Sequence, residues 1–486
     1  MKKFFVNFTI DVGNVGVLVY YFMNMRMIDF SRLKKHNLNI TTLLKFHSIL
    51  LVTFFCLLLA YSSIYQSRNI FPTDLYLEKV EVMYEKGLIS REVTERSPTG
   101  WLSDHATECL SLSVGIQNNL RRDSVLLDTY WNAKKTYNPC AGLIDLSLGK
   151  TDTIDSAGYA RYWHGHAILI QWVILLIGLP ILKNIMWMVT FGLLALIIKE
   201  VYKFSEIKFN YRIVIATLFP FVAFSDLADL HTSITHSLAA IFTLTTIYFL
   251  IKLYKFSIYA SIYSGFVLGS LYAFILYGLS PQTVPVAIFS FGGILLLISK
   301  KNSKEVASKV ISFASYWFIG YIITFVSKWF IVAIFTDYDI LTEAKKQLVH
   351  RSSQNVTSLS DGVLQHLEFA QNFPAFIQSW IANISTLMIH LLDPRYAANI
   401  LFYLVCIVVI LYVFYIFYTF LHNLSIIDST VKLCLVFNLL SFLLLFGWYA
   451  LLAQHSFDHA TYTYRSLVFL IGGVLGTFYL LKSKAK

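Results

Sequence analysis

Charge is what this sequence has least of. Asp, Glu, Lys and Arg make up 14% of its 486 residues, where an ordinary soluble domain carries about 25%. Hydrophobic residues make up 57% and the mean hydropathy is +0.62, which excludes an ordinary soluble protein. No P-loop or Rossmann glycine pattern occurs, so a nucleotide-driven pump is not expected. No Cys-x-x-Cys pair or His/Cys cluster indicates a metal, and no cofactor is expected. There is no internal repeat, and no low-complexity linker sets off a soluble domain. Lys2 and Lys3 precede Phe4–Phe8, but Asp11 and Asn14 interrupt the run, so it lacks a signal-peptide core. Residues 4–24 are expected to lie along the cytoplasmic interface.

What the sequence has is long apolar runs near 46–65, 166–182, 185–201, 213–225, 234–251, 257–278, 284–299, 311–335, 399–421, 433–453 and 463–481. Many approach or exceed the roughly 18 residues that mark a membrane helix. The net charge of +11 is unevenly spread. Residues 1–45 carry seven basic and two acidic residues, 67–165 eleven and thirteen, and 336–398 four and six. That asymmetry places the N-terminus in the cytoplasm and the two long loops outside; it is a topology signal rather than a nucleic-acid footprint. Eleven crossings would expose the basic C-terminus and the stretches 199–212 and 252–255. Ten solve the conflict if Gly178-Leu-Pro180 breaks 166–201 into a re-entrant or interfacial piece and one span. The expected class is an all-α polytopic membrane protein. Its parts are an N-terminal segment 1–45, a first helix 46–65, a large loop 66–165, a bundle 166–335, a second loop 336–398 and terminal helices 399–486. Within the second loop, 375–392 has the apolar spacing of a helix lying on the membrane surface.

Chemistry-bearing residues gather in the external connections. Asp104 and Glu108, spaced i,i+4, would share a helix face; near a bilayer, one of them could have a raised pKa and act as a base. Asp74, just after the first span, is a further acid near the membrane surface. Arg161-Tyr-Trp-His-Gly-His166 closes the first loop. Arg161 and His164 suit a phosphate, while Trp163 fits an interfacial aromatic belt. His455-Ser-Phe-Asp-His459 is followed by Arg465, a phosphate or sugar-hydroxyl site rather than a metal site because no third ligand is near. Asp226, Asp229, His231 and His236 form a fourth group. Lys328 lies well inside an apolar run, either as a functional charge or as a snorkelling side chain. Cys56, Cys406 and Cys434 read as buried thiols. Cys109 and Cys140 share the first loop and are expected to pair in an oxidising compartment.

This layout, with one N-terminal span, a large external loop bearing acids and many short helices after it, resembles the GT-C superfamily of integral-membrane glycosyltransferases. It is similar in size and loop placement to the serotype-converting O-antigen glucosyltransferases of Shigella and its phages. The resemblance implies a bacterial inner-membrane enzyme whose active face is periplasmic. It would move a sugar, glucose by analogy, from a polyprenyl-phosphate donor to the O-antigen of lipopolysaccharide. Implied partners are that donor, the lipopolysaccharide acceptor, membrane lipid, a donor synthase and a flippase, with no nucleic acid. The Asp-Asp or Asp-Glu signature of some branches is absent after the first span, so Asp74 and Asp104 stand as alternatives for the base. Arg161, His164, His459 and Arg465 would stabilise the leaving phosphate, with Lys328 a further cation. Asp226, Asp229, His455 and Trp163 would hold sugar or acceptor. An O-antigen polymerase and a transporter of lipid-linked saccharide are the competing readings.

Overall fold

The computed structural model describes residues 40–92, 94–96, 102–116, 125–136, 138–204, 217–218, 220–222, 233–253, 256–276, 281–299, 302–353, 373–389, 429–458 and 460–484. Asp226, Asp229, His231, His459, Cys406 and the apolar segment at 399–421 lie outside them; for Asp104 only the backbone is described.

Helix α1 (Ile40–Gln66) leads into a polar head. The head contains α2 (Thr73–Glu85), β1 (Thr94–Arg96), β2 (Leu102–Asp104), α3 (His105–Ser113), β3 (Tyr130–Ala133), α4 (Pro139–Ser147) and β4 (Ile154–Ala157). The helical class holds for the bundle, while the head adds two two-stranded antiparallel sheets, β1–β2 and β3–β4. The local sequence explains α4: Pro139 takes the first turn, and the Asn138 side chain accepts from the Cys140 and Ala141 amides at 2.8 and 3.0 Å. Helices of nine residues such as α3 and α4 are marginal alone. Here a disulfide joins them, as expected, between Cys109 and Cys140 with Cα atoms 5.0 Å apart.

The apolar stretch after the head is broken at Gly178, which has φ +83. It divides α5 (Gly165–Ile177) from α6 (Leu179–Phe204). Thirteen residues span about 20 Å, less than the roughly 30 Å of a bilayer core. Helix α5 acts as the floor of the head. Its Gln171 donates to the carbonyls of Leu112 and Val114 at 3.1 and 2.9 Å. Ile170 and Ile174 share one core with Tyr76, Val80, Leu112, Trp131, Leu143 and Ile154. The head therefore extends past residue 165 into what reads as membrane sequence.

The bundle continues with α7 (Ile234–Leu253), α8 (Ile258–Ile275), α9 (Thr283–Ile298) and α10 (Ser303–Phe335). After α11 (Ile340–Arg351) and α12 (Ala375–Ile389) come α13 (Ser429–Leu451), α14 (Ala453–Asp458), α15 (Ala460–Thr463) and α16 (Arg465–Lys484). Among the described residues, six helices are long and apolar enough to cross a membrane: α1, α6, α7, α8, α10 and α13. Helix α9 is apolar on all sides and buried on nearly all of them, which places it in the bundle interior. Small residues let α8 and α10 touch backbone to backbone: a Cβ on Gly265 would lie 2.4 Å from the Phe313 carbonyl oxygen, and one on Gly269 only 1.9 Å from that of Trp317.

Helix α12 departs from the surface-helix expectation. Ser379, Asn383, Ser385 and Thr386 are buried instead of facing water. Ser379 donates to the Tyr449 carbonyl and Asn383 to that of Ser456, both at 2.9 Å, while Thr463 donates to Asn383 Oδ1. Ser379 and Asn383 are thus bound to the ends of α13–α15, so burial satisfies these two groups, while Thr386 donates to the Ala382 carbonyl of its own helix.

Gly269→Val would drive a branched side chain into the α10 backbone. Thermal unfolding in detergent should show a loss of about 3 kcal/mol, whereas Gly447→Ala, where nothing lies within 4 Å of the added carbon, should leave the midpoint almost unmoved.

Candidate functional site

The strongest electrostatic feature is a buried carboxylate that neither periodicity nor motif had marked. Asp128 lies just before β3 with φ +50, a left-handed conformation unusual outside glycine. Its Oδ1 accepts from Arg68, just past the end of α1, in a close ion pair. Its Oδ2 accepts from Lys328 of α10 at 2.9 Å and from the Tyr65 hydroxyl at 2.8 Å. The side chains of Asp128 and Lys328 are fully buried and that of Arg68 nearly so. Lys328 also lies over the Tyr65 ring, 4.3 Å from its centre. Gly115, at φ +78, lets Arg68 reach this position, since a Cβ there would fall 2.2 Å from the guanidinium carbon.

Lys328 thus neither snorkels nor faces a surface open to a donor phosphate. Its charge is spent on Asp128, because an unpaired ammonium at that depth would be costly. Trp163 is likewise 1% exposed, donating to the Thr324 carbonyl at 2.7 Å and packing on Tyr61, Tyr65 and Phe274. It joins the head to the bundle and offers no free ring to a sugar. Beside it, Tyr61, Ser270 and Thr324 form a buried hydroxyl chain with links of 3.0 and 2.7 Å.

Arg161 is drawn to α11, where it pairs with Glu343. Its guanidinium lies over Tyr159 and Tyr162, with centroids at 4.4 and 5.2 Å. His164 caps α5 with φ +45 and its Nε2 faces the Tyr159 carbonyl at 3.1 Å. Burial, then the nearby His166, Lys328 and Arg68, hold the His164 pKa well below its ordinary value. It is therefore a neutral ring at neutral pH, a hydrogen-bonding group rather than a phosphate-binding cation.

A second polar belt runs across the same end of the bundle and brings three of the predicted groups together. From α3, Ser111 meets Thr235 of α7 at 2.8 Å and His166 of α5 at 3.0 Å. The next residue, His236, accepts from Arg465 at the start of α16 through Nδ1. One helical turn before Ser111, Glu108 pairs with Lys183 of α6 at 2.8 Å, so its carboxylate is buried and neutralised. His455 of α14 is buried at that end as well. Asp104 closes β2 one turn ahead of Glu108. Asp74 is exposed in the first turn of α2, where the helix dipole favours an acid and no contact marks it as a base. Among the described residues no group of three or more His, Cys, Asp or Glu could hold a metal.

Asp128, Ser111 and Thr235 escaped the sequence reading. Asp128 alone left a signal: it is the single acid in the apolar and aromatic run Val125-Leu-Leu-Asp-Thr-Tyr-Trp131. The chain matches no family model, no curated protein and no solved structure.

Asp128→Ala would leave two buried cations uncompensated and should cost about 3–5 kcal/mol in thermal unfolding. Lys328→Met leaves the Arg68–Asp128 pair intact and should cost clearly less; equal losses would refute the shared-anion arrangement. For His164, the unfolded chain takes up a proton below about pH 6.5 while the folded chain resists it. Its stabilising contribution is present above that pH and is lost on acidification, at up to about 1.4 kcal/mol per pH unit. Melting between pH 7 and 5 should therefore show a smaller decline for His164→Asn than for the wild type.

Proposed function

We propose that the chain is a polyprenyl-phosphate-sugar-dependent glycosyltransferase working at the periplasmic face of a bacterial inner membrane, with lipopolysaccharide O-antigen as acceptor. The carrying observation is the belt in which α3 of the head, the start of α7 and the start of α16 meet through Ser111–Thr235 and His236–Arg465. It joins groups far apart in sequence at one end of an apolar bundle, where a lipid-borne phosphate and a water-borne hydroxyl can meet. Ten crossings with both termini cytoplasmic go with this function, as the charge asymmetry implies; six helices among the described residues are long and apolar enough to cross.

In the proposed reaction an acceptor hydroxyl oxygen attacks the anomeric carbon, forming the new glycosidic bond. The bond from that carbon to the phosphate oxygen breaks, and the polyprenyl phosphate departs with the electron pair. The hydroxyl proton goes to a head carboxylate. Asp104 is preferred to Glu108, which is paired with Lys183, and to the exposed Asp74. Arg465 is the cation for the departing phosphate, because it stands in the belt at the start of α16, held by His236. His236 positions Arg465 by accepting from it without competing for its charge.

The test is sugar transfer by purified protein in liposomes, supplied with polyprenyl-phosphate glucose and lipopolysaccharide. Arg465→Ala should lower the rate by roughly 10²-fold or more, and Asp104→Asn should abolish turnover while the Cys109–Cys140 bond stays formed. Full transfer by both variants would overturn the residue roles. Movement of lipid-linked saccharide across the liposome without any transfer would replace the enzyme with a transporter.

A further inference from the structure

Helix α2 sorts its side chains onto three faces. Tyr76, Val80 and Met83 enter the head core. Asp74, Glu78, Glu81 and Glu85 recur at i, i+4, i+7 and i+11 on one flank. The stripe beside them reads Leu75, Lys79, Val82, Lys86 at the same spacing. That stripe lines a groove of about 590 Å³ whose opposite wall is Ile174, Gly178, Leu179 and Pro180, the break between α5 and α6. The volume lies within the roughly 300–1,000 Å³ of small-molecule sites.

Among the described residues between 71 and 164, the only large apolar side chains that are strongly exposed are Leu75, Val82 and Leu88. All three line this groove. Scattered exposed leucines need no explanation, but apolar exposure confined to one concave site does. Close in sequence to the groove's far wall stand exposed apolar side chains of the membrane helices: Leu176 is 76% exposed and Ile181 53%. Ile70, at the end of the first span, is 69% exposed. Apolar side chains at the end of the first span and the start of α6, next to lysines on α2, are the composition of a boundary between hydrocarbon and headgroups. Lys79 and Lys86 lie two turns apart in the groove's lining together with one acid, Glu78, while Asp74, Glu81 and Glu85 are absent from it, so the lining carries one net positive charge.

We propose that this groove holds one anionic phospholipid of the surrounding bilayer, with an acyl chain along Leu75, Val82, Leu88 and Leu179 and its phosphate between Lys79 and Lys86. Lysines alternating with apolar residues suit this position, because the stems lie on the chain and the ammonium groups reach the headgroup. The site does not depend on the transferase reading, and its test does not use activity.

The full chain, purified in mild detergent and stripped of lipid, is titrated with phosphatidylglycerol or phosphatidylcholine, and bound lipid is counted by native mass spectrometry. Thermal unfolding is followed in parallel. The expected result is one tightly retained phosphatidylglycerol that raises the melting midpoint, with phosphatidylcholine bound far more weakly. Lys79→Gln with Lys86→Gln should reduce phosphatidylglycerol affinity roughly 25-fold, about fivefold for each lysine. The Lys79→Arg, Lys86→Arg pair should keep the preference, and Val82→Trp, which fills the groove while leaving both lysines, should abolish retention of either lipid. Equal binding of the two lipids, or undiminished phosphatidylglycerol binding by the glutamine pair or by Val82→Trp, overturns the proposal.

Discussion

Asp128 is a single carboxylate shared by two cations that reach it from sequence positions 60 and 200 residues away. Arg68 stands at the exit of the first membrane helix, Lys328 rises from α10, and Asp128 belongs to the head. Removing charges from water costs several kcal/mol per ion, and only close, multiply bonded geometry returns it. The carboxylate meets that condition, accepting from both cations and from Tyr65. A polar head of about a hundred residues is thereby held on an apolar bundle by an interaction that tolerates little displacement.

Around that point much of the architecture follows from partnering polar groups as they are buried. Helix α5 is too short to cross the bilayer and closes the head's core instead, with Gln171 taking two carbonyls at the end of α3. Helix α12 turns Ser379 and Asn383 inward, where α13 and α14 offer the carbonyls of Tyr449 and Ser456. At the opposite extreme, α8 and α10 approach backbone to backbone through Gly265 and Gly269, and beside these glycines the Ser270 and Thr324 hydroxyls bond each other across the seam. These solutions gather the charged groups at one end of the bundle, while within it the packing is apolar apart from short neutral links such as Ser290–Ser441 and Asn438–Thr477.

That concentration is what makes a site. The groups carrying Arg161, Glu108, His236 and Arg465 looked alike in sequence, as small polar islands at helix ends. The fold divides them. Arg161 is tied to Glu343, and Lys328 and Trp163 are consumed in joining head to bundle. Glu108 is neutralised by Lys183, while Ser111, Thr235, His236 and Arg465 form a connected belt. The proposed transferase chemistry rests on the belt, and the lipid groove beneath α2 lies outside it.

The sequence alone determined the membrane class, the large polar head and the break at Gly178. It also raised the pairing of Cys109 with Cys140 as an expectation, which the structure bears out. Each of these follows from local quantities: hydropathy over a window, charge by segment, a glycine-proline interruption, two thiols in one loop. Tertiary structure decided the role of each charge. A carboxylate's chemistry depends on which cation comes within 3 Å, and those partners, Lys183 for Glu108 and Arg68 with Lys328 for Asp128, arrive from distant helices. One-dimensional spacing also misread α12, because its polar stripe has the same period whether it faces water or a set of buried carbonyls. Only packing distinguishes the two.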